Sequence, residues 1–488
     1  MKIVDPRYPV KPPAPDNFTQ RRWEHSALRN RMLTGNWLED LEDELARHVP
    51  GDRRAAWGVA DMSSNVFKAI SKALSVLYSE PPSIGLLGSE EGAADALLQR
   101  GGLVESAGLW PIMQTVQLYT IGMREMLLRV DVDAQGDGLL YRPVSPDMVY
   151  AEAPAGDPMT PNYLWELRLR EIHGSMAWTY DVFDLRDPKK PSYRVHATEA
   201  DGKLGRDMTK DFLKGSQSGK AYPYRQSDGT PRIPYSIYHA RLTGDRLWDP
   251  FDGAELVNGS LVASVLHTYL LHMSRDCSHP QRYVMGCGID GVGTFNADGQ
   301  SRRQAIATDP ASILVFSPDT EMQGLGQPLI GQFNAGGDPE QMIHVITLYE
   351  RKLALASGIN PASVQKLSGD PRSGYAIAMS RSDSRDAQRR YAPSFRRGDQ
   401  NTLELSAIIA NRFLGTSFPE SGYRVEYSAI PQSGEELEAI RRDLIEKMNA
   451  GLITRVQAIR ALYPDMSDDE AVQYLREVKR QQIEFGSI

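Results

Sequence analysis

The chain has 488 residues, 41% hydrophobic and 24% charged, a globular balance that fits roughly two to four domains. Its formal net charge of -8 excludes nucleic-acid affinity driven by overall charge, so any DNA contact has to be local. Two cysteines, Cys277 and Cys287, exclude a disulfide framework and fit a reducing compartment; no run reaches the roughly 18 uninterrupted apolar residues of a membrane span, and the opening segment lacks a signal-peptide core.

In chain order, MKIVDPRYPVKPPAPDN reads as an extended, proline-stiffened arm. Residues 18 to 48 are expected to be helical, with Trp23, Leu28, Met32, Trp37, Leu38, Leu41 and Leu45 set among charges and Pro50-Gly51 as the stop. NVFKAISKALSVLY places Val66, Ile70, Leu74 and Leu77 on one helix face, and SEPPS ends it. LWPIMQTVQLYTIGMREML is a third helix that then changes period. LLRVDVD, a turn at Gln135 to Gly138, and LLYRPV make a hairpin, followed by alternating YLWELRLREI, MAWTYDVFDL and SYRVHA. These predict a half-exposed antiparallel sheet. Residues 200 to 232 are polar and glycine-rich, and read as a mobile loop.

GAELVNGSLVASVLHTYLLHMS (residues 253 to 274) is a helix apolar over most of its circumference, interrupted by Glu255, Asn258, His267 and His272. Such a helix has to be buried on more than one side, inside a large domain or between identical subunits. QRYVMGCGI and SILVFSP are short strands of a glycine-rich insertion. DPEQMIHVITLYERKLALAS returns as a helix, with Asp338 as N-cap and Pro339 in its first turn. The two helices are expected to run antiparallel, with the insertion at their far end. SVQKLSGDPRSGYAIAMSR opens as a loop and leads into a helix from about 374 to 414, which Pro393 should kink. After the strand YRVEYSAIP come three capping boxes, Ser433-x-x-Glu436, Thr454-x-x-Gln457 and Ser467-x-x-Glu470, each ahead of a short amphipathic helix. Leu437, Ile440, Leu444, Ile445 and Met448 line the first of these, Gly451 closes it, and Pro464 closes the second.

Catalytic signatures are missing: there is no GxxxxGK[ST], HExxH or GxSxG. His272, Cys277, His279 and Cys287 lie close in sequence but lack the paired spacing of zinc ligands, and no metal is expected. VDVDAQGD lacks the glycine and the closing glutamate of a calcium loop, so a hairpin turn accounts for it. Residues 381 to 397 hold six arginines and two aspartates. Arg381, Arg385 and Arg389 form a stripe on one helix face, and the sequence leaves open whether it meets solvent, a neighbouring subunit or phosphate.

The order of parts — mixed body, long apolar helix, insertion, returning helix, loop, kinked helix, helical end — resembles the portal proteins of tailed bacteriophages. LLYRPVSPDMVYAE, RIPYSIYHARLTGDRLWDPFDGAELVNGSL, ALASGINPASVQKLSGDPRSGYAIAMSR and IRRDLIEKMNAGLITRVQAIRALYPDMSDDEAVQYL carry the likeness over most of the chain. It implies an α+β, ring-forming fold. Residues 1–251 and 375–430 would form an α/β wing, 252–275 and 337–358 two stem helices, 276–336 a small α/β clip, 359–374 a tunnel loop and 431–488 a helical crown. It further implies a closed ring of about twelve copies at one capsid vertex. Such a ring passes double-stranded DNA during packaging and ejection and works with the major capsid and scaffolding proteins. It docks the terminase large subunit and then the head–tail adaptor proteins. The implied location is the virion, and the host cytoplasm during assembly, with no enzymatic activity, cofactor, metal or membrane.

In the tunnel loop, Gln365, Lys366, Leu367, Ser368 and Arg372 would face the DNA, with Lys366 and Arg372 meeting phosphates as they slide past. A few cations on an otherwise acidic conduit suit translocation, because a basic lining would bind the duplex and stall it. Two alternatives stand beside this: another capsid-associated adaptor or scaffold, which would not need the helix–insertion–helix pattern, and a metal-dependent nucleic-acid enzyme, which would need a carboxylate cluster.

Overall fold

The computed structural model describes residues 11–49, 60–88, 92–132, 138–172, 174–212, 224–278, 281–285, 287–289, 316–318, 329–333, 337–359, 374–430, 434–462, 466 and 468–485. Asp16 caps the first helix, α1 (Asn17–Thr34), accepting from the Thr19 amide at 2.8 Å. The single helix expected over residues 18 to 48 is in fact two. Gly35 takes a left-handed turn (φ +92°) and returns its amide to Arg31 O at 2.9 Å. This conformation is cheap for glycine and stops the helix. Trp37 then drops into the core, 2% exposed, and α2 (Leu38–His48) begins. Arg31 bridges the break with two bonds to Asp40, at 2.8 and 2.6 Å.

Asn65 caps α3 (Val66–Leu74), which buries Val66, Phe67, Ile70 and Leu74. The helix stops at Ser75, yet Leu77 and Tyr78 remain buried in the turn that follows. The period change expected after the third helix falls at Arg124. There α4 (Leu109–Met123) passes directly into a strand through φ +77°, the one non-glycine positive φ among the described residues.

β1 (Ser83–Leu86) has its strand partner late in the chain, outside the two sheets that follow. β2 (Glu125–Val132) and β3 (Leu139–Val144) form the expected hairpin, with Leu127 opposite Val144 and Val132 opposite Leu139. β4 (Val149–Glu152), β5 (Tyr163–Ile172), β6 (Ser175–Asp184), β7 (Ser192–Thr198) and β8 (Leu204–Asp207) make a five-stranded antiparallel meander. The loop reading of residues 200 to 232 is therefore corrected in part. β8 joins the meander edge, and β9 (Tyr224–Arg225) pairs with β10 (Pro231–Arg232). Backbone pairing overrode a polar composition there. β11 (Tyr235–His239) adds to the open side of β2, with Tyr235 opposite Arg129.

α5 (Ala254–Ser278) leads into the insertion, whose described strands are β12 (Gln281–Met285), β13 (Cys287–Ile289), β14 (Phe316–Pro318) and β15 (Leu329–Phe333). β12 pairs with β15 and β13 with β14, both antiparallel, so the insertion folds back on itself. α6 (Pro339–Ala356) starts at the Asp338 cap and packs on α5. α7 (Gly374–Phe413) runs for 40 residues with Pro393 inside it, on an exposed position that does not end the helix. β16 (Tyr423–Glu426) then pairs with β1, from the far end of the chain.

One large core unites these elements through Met32, Phe67, Met113, Leu128, Leu261, Phe395 and Leu403. A smaller one, with Leu164, Phe183 and Trp248, lies beneath the sheets. At the C-terminus, α8 (Gly434–Asn449), α9 (Arg455–Leu462) and α10 (Asp468–Phe485) follow, the first and last longer than the short helices expected. Thr454 and Gln457 make the expected reciprocal box, with amide bonds of 2.8 and 3.2 Å. Ser433 and Ser467 lie outside the described residues. No helix among the described residues is long and apolar enough to cross a membrane.

Candidate functional site

The α5–α6 pair is built from small and polar residues as much as from apolar ones. Gly259 lets the helices close on each other: a Cβ there would sit 2.4 Å from Leu353 Cδ2. Further along the same seam, Glu350 of α6 pairs with His267 Nε2 at 2.9 Å and accepts from Ser64 Oγ at 2.9 Å. Burial pushes the Glu350 carboxyl up, but the bonds from His267 and Ser64 outweigh it and hold the group below its ordinary value.

Another side of α5 carries Ser260, Ser264 and Thr268, four residues apart and hence on one face. Ser260 Oγ accepts from Phe67 N (3.1 Å), Ser264 Oγ donates to Ser64 O (2.9 Å), and Thr268 Oγ1 accepts from Asp61 N (2.9 Å). These bonds satisfy the backbone of the segment running into α3. So α5 is buried on more than one side, as its composition demands, but its partners include segments of its own chain.

The open apolar surface is on α6. At 100° per residue, Ile346, Glu350, Leu353 and Ala354 turn toward α5 and the body. Val345 (48% exposed), Leu348 (49%) and Leu355 (64%) fall on the other side, with Ile343 (52%) exposed nearer the insertion. On α5, Leu271 is exposed as well. Sequence reading placed the inter-subunit candidate on α5. The signal for α6 was present in the spacing of Val345, Leu348 and Leu355, but two charged residues, Arg351 and Lys352, obscured it.

Gln365, Lys366, Leu367, Ser368 and Arg372 lie outside the described residues, as does the side chain of Arg381. Arg385 is half-buried on α7. Arg389 is exposed, 3.7 Å from Asp386 one turn earlier, a surface pair of little energetic weight. The neighbouring Arg390, which the stripe does not include, touches the end of α6: its Nη1 is 3.4 Å from Ser357 O. Arg396 donates to Val425 O at 3.0 Å and ties α7 to β16. His272 is buried and Cys277 half-buried, while the side chains of His279 and Cys287 lie outside the described residues. Among the described residues, no group of His, Cys, Asp and Glu is placed to hold a metal ion.

Two buried charge networks brace the body. Arg129 joins Glu166 (3.1 Å) and Asp181 (2.9 Å), which also meet Arg142, Arg168 and Arg170. Burial raises the Asp181 carboxyl, and the three arginines beside it more than reverse that. On α7, Asp399 is 2% exposed and is held by three phenols: Tyr78 Oη at 2.8 Å from both oxygens, Tyr238 at 3.0 Å and Tyr427 at 2.6 Å. Burial still pushes this carboxyl up to about 6. Both networks sit inside the packing between elements, as braces.

No protein-family model matches the chain, and no curated protein matches it either. Among solved structures, it is similar to a chain of the virion of the native gene transfer agent particle, at 12% identity and TM-score 0.37. It is likewise similar to a neck chain of the native particle computed with C12 symmetry, at 13% and 0.37, and to one of the empty particle computed with C6 symmetry, at 14% and 0.35. Each alignment covers 81% of this chain and 88% of the other.

Proposed function

We propose that this chain is the subunit of a portal-type ring: a head-to-tail channel for double-stranded DNA at one vertex of a virion, without enzymatic activity of its own. The observation that carries the reading is the α5–α6 pair. The two helices are joined at one end by a folded insertion and sealed to the body by hydroxyl and carboxylate bonds, and α6 presents Val345, Leu348 and Leu355 outward. A helix pair that is finished on its inner side and leaves Val345, Leu348 and Leu355 open on its outer side, beside the charged Arg351 and Lys352, is suited to a neighbour. A second copy of the chain, repeated around a closed ring, supplies one at every position.

In this reading α5 and α6 are the stem. Residues 276–336 are the clip, which docks the terminase large subunit and later the adaptor proteins. Residues 359–374 line the channel with Lys366 and Arg372, and α8 to α10 form the crown inside the capsid. The meander, the hairpin sheet and α7 form the wing. The carboxylate excess keeps the conduit from trapping DNA.

Electron microscopy and native mass spectrometry of the purified chain are expected to show a ring of about twelve copies with a central hole. A chain that stays monomeric across salt and concentration would contradict the reading. Magnesium-dependent cleavage of DNA by the pure protein would favour an enzyme instead. Deleting residues 363 to 372 is expected to leave rings intact and to lower DNA packaging or retention; normal yields of full heads would remove the tunnel role of that segment.

A further inference from the structure

The carboxyl end of α6 closes in a Schellman-type turn. Ser357 N still reaches Leu353 O at 3.1 Å, and Gly358 turns left-handed at φ +74° with its amide on Leu355 O at 2.9 Å. Ile359 then returns its amide to Ala354 O at 3.0 Å and buries its side chain, 3% exposed, in the large core. The carbonyl end of an 18-residue helix carries partial negative charge.

Arg390 meets that end. Its Nη1 lies 3.4 Å from Ser357 O, and its guanidinium covers Gly358 so closely that a Cβ would sit 2.8 Å from Nη2 and 3.2 Å from Nη1. Glycine is favoured at 358 by its φ, and a Cβ there would push the Arg390 guanidinium off the turn. Arg390 itself stands on anchored ground. The next residue, Tyr391, is 5% exposed, and Ser394 donates its hydroxyl to His239 O of β11.

We propose that Arg390 is a positioning residue that locks the carboxyl end of α6 to α7, and so fixes where the chain leaves the helix pair. A planar guanidinium can lie flat on a glycine turn and point two N–H groups at carbonyls, which an ammonium cannot do. The consequence for DNA rests on the portal reading: the locked turn is the root of the segment that would line the channel.

Hydrogen exchange of the full chain tests the lock without reference to DNA. Arg390→Ala is expected to speed exchange in peptides covering residues 353 to 359 by about fivefold, while α5 peptides are unchanged. Arg390→Lys should recover only part of the protection. Gly358→Ala should give at least the same local increase with Arg390 present, and adding Arg390→Ala to it should change nothing further. Unchanged exchange in Arg390→Ala, full recovery by lysine, or additive effects in the double variant overturns the lock. In assembled particles, Arg390→Ala rings that lose packaged DNA support the stated consequence, and rings that retain it at the unmodified level overturn that consequence. Absence of a ring for the unmodified chain contradicts the portal reading alone, since the exchange result is independent of assembly.

Discussion

At the scale of single residues, the most informative group is Asp399. Three phenols from Tyr78, Tyr238 and Tyr427 bind one buried carboxylate, and burial sets its value near 6, above the ordinary 3.8. The native state thus takes up this proton more readily than the unfolded chain. The group favours folding most at low pH, and that contribution is lost as pH rises from about 4 through about 6, by up to roughly 3 kcal/mol. Urea midpoints measured from pH 4 to 7 should fall more steeply for the unmodified chain than for Asp399→Asn; parallel profiles would refute this. Gly259 makes a second case. Gly259→Ala drives a methyl into Leu353 and is expected to cost about 1–3 kcal/mol in thermal or denaturant unfolding. Leu353→Ala in the same chain should relieve part of that cost, so that the double variant is less destabilised than the sum of the singles.

At the scale of elements, α6 separates folding from assembly. Leu348 and Leu355 are about half exposed or more in the single chain, so Leu348→Glu and Leu355→Glu are expected to change its stability by only about 0.5 kcal/mol. Each should nevertheless shift rings toward monomers in size-exclusion chromatography with light scattering, because burying a carboxylate in an apolar contact is costly. Ile346→Glu is the contrast. Ile346 is 3% exposed on the inner side, and its replacement should unfold the chain as well as disperse it. If Leu348→Glu and Leu355→Glu rings remain whole, α6 is not the contact. The helix pair was legible in the sequence as helix, insertion and capped return, because Asp338-Pro339 and the apolar run are local signals. Which of its faces stayed open was not, because that depends on Ser64 and Phe67 reaching across from a segment 193 to 286 residues away.

At the scale of the whole molecule, the N-terminal and C-terminal parts of the body close on each other. β1 pairs with β16, Tyr78 and Tyr427 share Asp399, and α7 threads between the sheet and the helices. Among the described residues, the two larger cores hold none beyond Tyr427. A chain ending at residue 430 is therefore expected to keep the main unfolding transition of the full chain, and calorimetry would check it; a body that no longer folds would show that α8 to α10 are part of its core. Within that terminal module, Thr454→Ala removes a reciprocal cap and should cost about 1 kcal/mol locally, with no change in the main transition.

The sequence by itself determined what local chemistry governs. Helix caps at Asp338 and Thr454, the alternation of the meander strands, the lack of catalytic motifs and the acidic balance are all properties of neighbouring residues. It misjudged the break at Gly35, where one residue's φ outweighed a continuous apolar period, and it left out β8, whose polar side chains gave no pattern. Only the tertiary structure decided which arginine of residues 381–397 grips α6, which carboxylate sits among phenols, and which face of the helix pair is open. Each of those depends on groups from separate elements meeting at contact distance, from 33 residues apart for Arg390 and Ser357 to 321 for Tyr78 and Asp399, and periodicity carries no record of such partners.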